Sequence, residues 1–357
     1  MLGNSSQRCP EDSLAYRSVA RCLYHLAFTI GVAIVGNGSL PSLTEADEQP
    51  RLGLPVNCRL RQDCFVQQMS DVDPGHGTLD PLCGQATYQG HTGWDIRLRS
   101  LSDIARDVPV VAVADGTISR IRDGVPDRIF DTANDDPRMG GRECGNGVVI
   151  DHQGALSSQY CHLKNGSLSV RPGMNVRRGE RIGSIGSSGL AEFPHVHLSV
   201  RLDGKPVEPV TGKPLADKAQ GCGDLSGSLF DTGSTQALAQ SPVAILDVGL
   251  ANAPPELSDL VRTGGPPLAI AHSNSAVVWV WAIKVDEGAR FRIRLVGPGE
   301  VTLIDQTTNA LPRRKANYLV YVGRKLEVGA GTYHLRAEIV NGQKGLGSKA
   351  RSFSLSE

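Results

Sequence analysis

Two short segments of this 357-residue chain carry residue types that hold metals and move protons. His91 and Asp95 lie four residues apart in the run Gly90-His91-Thr92-Gly93-Trp94-Asp95, and His195 and His197 flank Val196 far downstream. A catalytic zinc takes three imidazole or carboxylate ligands and keeps one position open for water, and His91, Asp95 and one of the two later histidines supply such a set. On a strand, residues two apart leave the same face about 7 Å apart along the chain. One imidazole of the His195/His197 pair can then bind metal while the other meets the water. Five extended residues would hold His91 and Asp95 about 13 Å apart, too far to share an ion. The backbone must therefore turn or bulge between them, and Gly93 permits it. His162, in Gln159-Tyr160-Cys161-His162-Leu163, adds a further imidazole. No His-Glu-x-x-His occurs, which excludes a helix-borne zinc site of that kind. Isolated histidines such as His152 and His272 read as surface or satisfied core residues.

In order and spacing these residues resemble the zinc endopeptidases of the lysostaphin and LytM type, the M23 peptidases of bacterial cell-wall peptidoglycan. Their pattern is His-x3-Asp, a Tyr-x-His-Leu segment, then His-x-His. The likeness runs on through Ala114-Asp115-Gly116-Thr117-Ile118, the glycine turn and strand from Gly145 to His152, Val176-Arg177-Arg178-Gly179-Glu180, and Gly204-Lys205-Pro206-Val207-Glu208-Pro209. It covers residues 88 to 210. One small departure is Val196, where such peptidases often have leucine. The resemblance implies that His91, Asp95 and His197 are the zinc ligands and that His162 and His195 are the catalytic pair outside the metal shell. It further implies hydrolysis of peptidoglycan peptides by a zinc-activated water, with His195 taking the proton and His162 serving the oxyanion or the water. Relatives that lack some of these residues serve as wall-binding modules, so the alternative is a catalytically silent wall-binding or regulatory protein of the same fold.

The elements that must position these side chains are strands. Aromatic residues make up 5% of the chain, glycines number 41, and the apolar runs are short and rich in Val and Ile. The expected fold class is mainly β: an antiparallel-sheet LytM-type peptidase domain over 47–215, its cysteine-bearing approach included, then a linker over 216–240. An immunoglobulin-like β-sandwich follows over 241–357. The sandwich rests on Ala276–Val285, on the strict alternation of Phe291–Leu295, on Gly331–Ile339, and on turns such as Gly297-Pro298-Gly299 and Asn341-Gly342. Arg313–Tyr318 reads as a solvated basic loop rather than a ligand patch, and the C-terminal domain is the expected place for any protein partner. Arg122–Arg142, rich in Asp, Pro, Arg and Gly, reads as a surface loop inserted in the peptidase domain. Asp71–Gly77 is too short and lacks the glutamate of a calcium loop, so it reads as a turn.

Charge and cysteines bound the setting. With 37 basic and 37 acidic residues, formal net charge is zero, which argues against electrostatic capture of nucleic acid or an anionic membrane. Arg17 and Arg21 precede an apolar stretch from Cys22 to Val35, too short to span a bilayer comfortably, so residues 1–46 read as a leader cleaved between Gly38 and Ala46, with Val19 as an alternative start. Six of the eight cysteines lie beyond it, as in an oxidising periplasm or exterior. The favoured pairing is Cys58 with Cys64, Cys83 with Cys222, and Cys144 with Cys161.

Overall fold

The computed structural model describes residues 49–356, apart from 132–133, 137–138, 218–220, 241–242, 267, 269–272 and 326. The leader, Cys9, Cys22 and His272 lie outside the described residues. Eleven strands precede the helix α1: β1 Phe65–Gln68, β2 Trp94–Arg97, β3 Pro109–Val111, β4 Gly116–Arg122, β5 Asn146–Asp151, β6 Leu156–Leu163, β7 Asn175–Val176, β8 Arg181–Ser184, β9 His195–Leu202, β10 Lys205–Glu208 and β11 Lys213–Pro214. The main sheet runs β1-β2-β9-β6-β5-β4-β7, antiparallel throughout, and the small β3-β8 pair lies apart. The fold is mainly β, as the short Val- and Ile-rich runs require.

The middle of that sheet shows how the pattern works. In β9, Val196, Leu198 and Val200 are fully buried, and they alternate with His195, His197 and Ser199, which occupy the other face. The apolar side chains pack with Trp94, Ile96, Val148, Ile150 and Tyr160 into one core, so the polar side is fixed by the same period. The three expected disulfides, Cys58–Cys64, Cys83–Cys222 and Cys144–Cys161, are all present.

After α1 (Thr232–Ala239) come β12 Ala244–Ala251, α2 Leu257–Thr263, β13 Ala276–Val285, β14 Arg290–Val296, β15 Thr302–Thr307, β16 Lys315–Arg324, β17 Gly331–Asn341 and β18 Lys344–Leu355. They make a three-stranded sheet, β12-β13-β16, and a four-stranded sheet, β15-β14-β17-β18, that share an apolar core. The basic segment begins as a loop but enters an edge strand at Lys315, where backbone pairing with Val285 overrides the charge. The Gly- and Ser-rich stretch 216–240 is pinned at several points. Cys222 is bonded to Cys83, Phe230 bridges to Leu52, the Asp231 side chain caps α1 by accepting from the Ser234 amide, and Leu238 joins the peptidase core.

β13 and β14 differ instructively. β14 alternates buried Phe291, Ile293 and Leu295 with exposed arginines, as a strand with one wet face must. Every residue of β13 is buried. Its Val278, Val280 and Ala282 face the sandwich core, while Trp279, Trp281 and Ile283 form a second cluster with Phe65 of β1, against which Phe193 and Ile129 pack. The continuous apolar run thus marks a strand covered on both faces, by its own sandwich and by the peptidase region. Polar contacts cross the same junction: Arg99 pairs with Asp247, and the Gln67 side chain donates to the Ala316 carbonyl. The described residues accordingly form one compact unit.

Candidate metal centre

Three neighbouring strands carry the histidine cluster. β2 supplies Asp95 and β9 supplies His195 and His197, with Asp95 the register partner of His197. β6 supplies His162 through Cys161, which pairs with His197 on the opposite side. His91 lies just before β2, and the bend at Gly93 brings it back over Asp95, as the spacing required. Gly93 is needed for a second reason that spacing could not show. A Cβ there would sit 2.4 Å from the Leu198 carbonyl oxygen and 2.7 Å from the His197 ring. Strands β2 and β9 approach so closely that only a hydrogen fits.

The donor atoms of His91, Asp95 and His197 lie within 4.8 Å of one another. His91 Nε2 is 3.1 Å from His197 Nδ1 and 3.3 Å from Asp95 Oδ2, and His197 Nδ1 is 2.8 Å from Asp95 Oδ1. Atoms bound about 2.1 Å from a tetrahedral ion stand roughly 3.4 Å apart, so the triangle is near the right size for zinc. The outer nitrogens are committed as a metal site needs. His91 Nδ1 is 2.7 Å from the Met69 carbonyl oxygen, which can only accept, so Nδ1 carries the hydrogen and Nε2 keeps its lone pair for the cluster. His197 Nε2 meets the Ser199 hydroxyl at 2.8 Å, which leaves Nδ1 for the same point. The donor set and its orientation therefore fit a zinc ion. The turn at Asp71 helps hold His91: its amide donates to the His91 carbonyl and its carboxylate accepts from the Gly90 amide.

His162 and His195 stand beside this triangle, their rings 4.5 Å apart. His162 Nδ1 is 2.8 Å from the Ser188 carbonyl oxygen, and His195 Nδ1 is 2.8 Å from the Phe193 carbonyl oxygen. Each Nδ1 therefore donates, and each Nε2 offers a lone pair. His195 Nε2 stands 3.6 Å from Asp95 Oδ1. Burial pushes both imidazoles below their ordinary pKa, His162 far below because His195 and His197 crowd it as well. Burial opposes the charge on Asp95 too, but His91, His195 and His197 prevail and hold its carboxyl well below the usual range. His162 has a positive φ of 61°, an uncommon conformation for a side chain of this size and one held here by its amide donating to the Cys144 carbonyl, next to the Cys144–Cys161 bridge.

All five residues singled out from the sequence are thus brought together. Ser199 was legible in principle, since it continues the i, i+2 series from His195 and His197. Tyr88 and Phe193 were not: Tyr88 stacks on His91 at 4.5 Å between centroids while half exposed, and Phe193 stacks on His195 at 4.6 Å. His152 is a satisfied structural residue, bonded to the Asp115 carbonyl and the Ser158 hydroxyl. The insertion after β4 packs on the segment that holds His162, through an Asp127–Ser188 bridge and a bond from the Phe130 amide to the Ala191 carbonyl. A surface concavity lined by Asp115, His152 and Arg178 shares no residue with the cluster, so donor chemistry rather than concavity singles out the site.

Residues 89–209 match peptidase family M23. The DD-carboxypeptidase/endopeptidase Mpg of Neisseria meningitidis serogroup B is 35% identical over 125 residues, 35% of this chain and 23% of that protein. The peptidoglycan DD-endopeptidase ShyA of Vibrio cholerae is 40% identical over 63 residues, 18% of this chain and 14% of that protein. This chain therefore spans less than a quarter of the length of either relative. Among solved structures, the catalytic domain of the prophage-encoded M23 protein EnpA from Enterococcus faecalis is 22% identical with a TM-score of 0.29, over 45% of this chain and 93% of that one. Residues 89–209 are a peptidase family M23 domain.

Proposed function

We propose that this protein is an exported zinc metallo-endopeptidase that hydrolyses peptide bonds of bacterial peptidoglycan. The observation that carries this reading is the convergence of His91, Asp95 and His197 on one point, with His162 and His195 beside it. A zinc ion held by the first three would supply a Lewis acid that polarises the scissile carbonyl and lowers the pKa of water. His195, its Nδ1–H fixed on the Phe193 carbonyl, takes a proton at Nε2 from the attacking water and returns it to the leaving amine as the C–N bond breaks. His162 in its neutral form accepts at Nε2 and so orients the water. Donation to an oxyanion requires the imidazolium, which its burial opposes.

Export is supported by the disulfides, which persist in oxidising compartments. Among the described residues no helix is long and apolar enough to cross a membrane. We divide the chain into a leader (1–46), the peptidase region (47–215), a connecting stretch (216–240) and an immunoglobulin-like sandwich (241–357). The deciding experiment incubates the purified full chain with peptidoglycan, measures bound zinc, and identifies released fragments by mass spectrometry. Zinc at one equivalent with newly cut stem or cross-link peptides is the expected result. A protein free of zinc that releases nothing would favour a silent wall-binding role.

A further inference from the structure

Four side chains form a continuous stack from the C-terminal sandwich to the proposed proton-transfer histidine. The Arg97 guanidinium carbon lies 5.4 Å from the centre of the Trp281 ring and 4.5 Å from the centre of the Phe193 ring. Phe193 in turn stacks on His195, with centroids 4.6 Å apart, and its backbone carbonyl holds the His195 Nδ1–H. Arg97 is also the register partner of His195 across β2 and β9, and the next residue, Leu98, donates its amide to the Pro194 carbonyl.

The placement of an arginine here needs a reason. Arg97 is fully buried, and a buried guanidinium is costly unless each of its nitrogens finds an acceptor. It is answered by the Leu98 and Arg99 carbonyls and by the Gln67 side-chain oxygen. Gln67 spends its own amide on Ala316 of β16, so the sandwich also fixes the hydrogen-bond frame of Arg97. Trp281 is fixed from its side by a bond from its indole N–H to Asn317. A planar cation in contact with two aromatic rings is oriented as well as attracted, and its placement constrains how both rings sit.

We infer that Trp281 and Arg97 are positioning residues: through Phe193 they set the orientation of the His195 imidazole, and the C-terminal sandwich is thereby a working part of the catalytic unit. This rests on the peptidase reading for its consequence in turnover but not for the coupling itself. Both side chains are fully buried. A displacement of the base by a fraction of an ångström is enough to slow proton transfer without changing how substrate binds.

The test uses the full, zinc-loaded chain, four single variants and the Phe193→Leu/Trp281→Leu double variant. Phe193→Leu keeps apolar bulk but loses the flat face, Phe193→Tyr keeps the face, and Trp281→Leu alters only the sandwich end. Tyr321→Ala, at a half-exposed site on β16, is the control. Turnover, KM, zinc content and the NMR signals of the His195 ring are compared. Phe193→Leu and Trp281→Leu should each lower kcat on the order of tenfold. KM and zinc should stay unchanged, and the double variant should lose little more than either alone. Phe193→Tyr should restore kcat, and the His195 signals should move in the two leucine variants but not in the control. Unmoved His195 signals in a folded Trp281→Leu protein would overturn the coupling, as would kcat losses that simply add. If the wild-type chain bears zinc yet hydrolyses nothing, the peptidase reading fails, and the ring signals alone still decide the stack.

Discussion

His197 and Asp95 face each other across adjacent antiparallel strands, with Nδ1 of the imidazole 2.8 Å from Oδ1 of the carboxylate. The contact brings a ligand from the start of the domain against one from its end, and it exists because Gly93 lets β2 lie almost against β9. Replacing Gly93 with alanine forces the strands apart. We expect Gly93→Ala to cost about 1–3 kcal/mol of stability, the usual range for overpacking, and to weaken zinc binding at the same time. Denaturation and zinc titration of the variant check this, and unchanged zinc affinity would contradict it.

Removing a ligand and removing a base should look different. His91→Ala, Asp95→Ala and His197→Ala each delete one protein donor, so each should lose zinc and activity while the three disulfides keep the fold. His195→Ala and His162→Ala should keep zinc and lose turnover by roughly two orders of magnitude or more. Metal analysis beside kinetics separates the classes. Zinc loss from His195→Ala equal to that from His197→Ala would show the roles to be wrongly divided.

Ser199 acts on the metal through His197. Deleting its hydroxyl frees the ring to rotate, so Ser199→Ala should weaken zinc affinity by about 10- to 100-fold. At saturating zinc most of the turnover should return. Chelator competition measures the first effect, and a variant with wild-type affinity would remove Ser199 from the site.

Glu208 gives the domain a pH signature. It is fully buried, accepts from the Trp94 indole and the Val210 amide, and burial raises its pKa to about 7 from the ordinary 4.5. The folded chain therefore holds a proton between pH 4.5 and 7 that the unfolded chain releases. Stability from this group is full below 4.5 and falls as pH rises toward 7, by on the order of 3 kcal/mol. Glu208→Gln should flatten that slope. Equilibrium unfolding from pH 4 to 8 reads it, and parallel curves for the two proteins would refute the assignment.

The glycine- and serine-rich stretch before the second domain suggests halves that fold apart, yet Phe65, Ile129 and Phe193 pack on Trp279 and Trp281. A chain ending at Gln240 uncovers that apolar face. We expect it to melt lower and to turn over small muropeptides more slowly than the full chain, with zinc content retained. Full activity at an unchanged melting temperature would show that the junction is incidental.

What the sequence determined by itself was local chemistry and local period. The His-x3-Asp and His-x-His spacings, the strict alternation of β9 and β14, and the glycine at 93 are properties of a few neighbouring residues, and they fix residue type, strand face and the need for a bend before any tertiary contact forms. The apolar run of β13 marked a strand, and its burial on both faces emerged only in the folded chain. What covered its second face could not be read, because Phe65, Phe193 and Trp281 are far apart in the chain and any apolar partner would suit the pattern equally well. The same holds for Arg97, which as a sequence letter looks like an exposed strand cation. Only the folded chain places it against two rings, where burial makes its orientation matter. Tertiary structure also decided which nitrogen of each histidine is free, since that depends on the Met69, Ser188 and Phe193 carbonyls and the Ser199 hydroxyl, groups whose positions follow from strand register and loop path rather than from spacing.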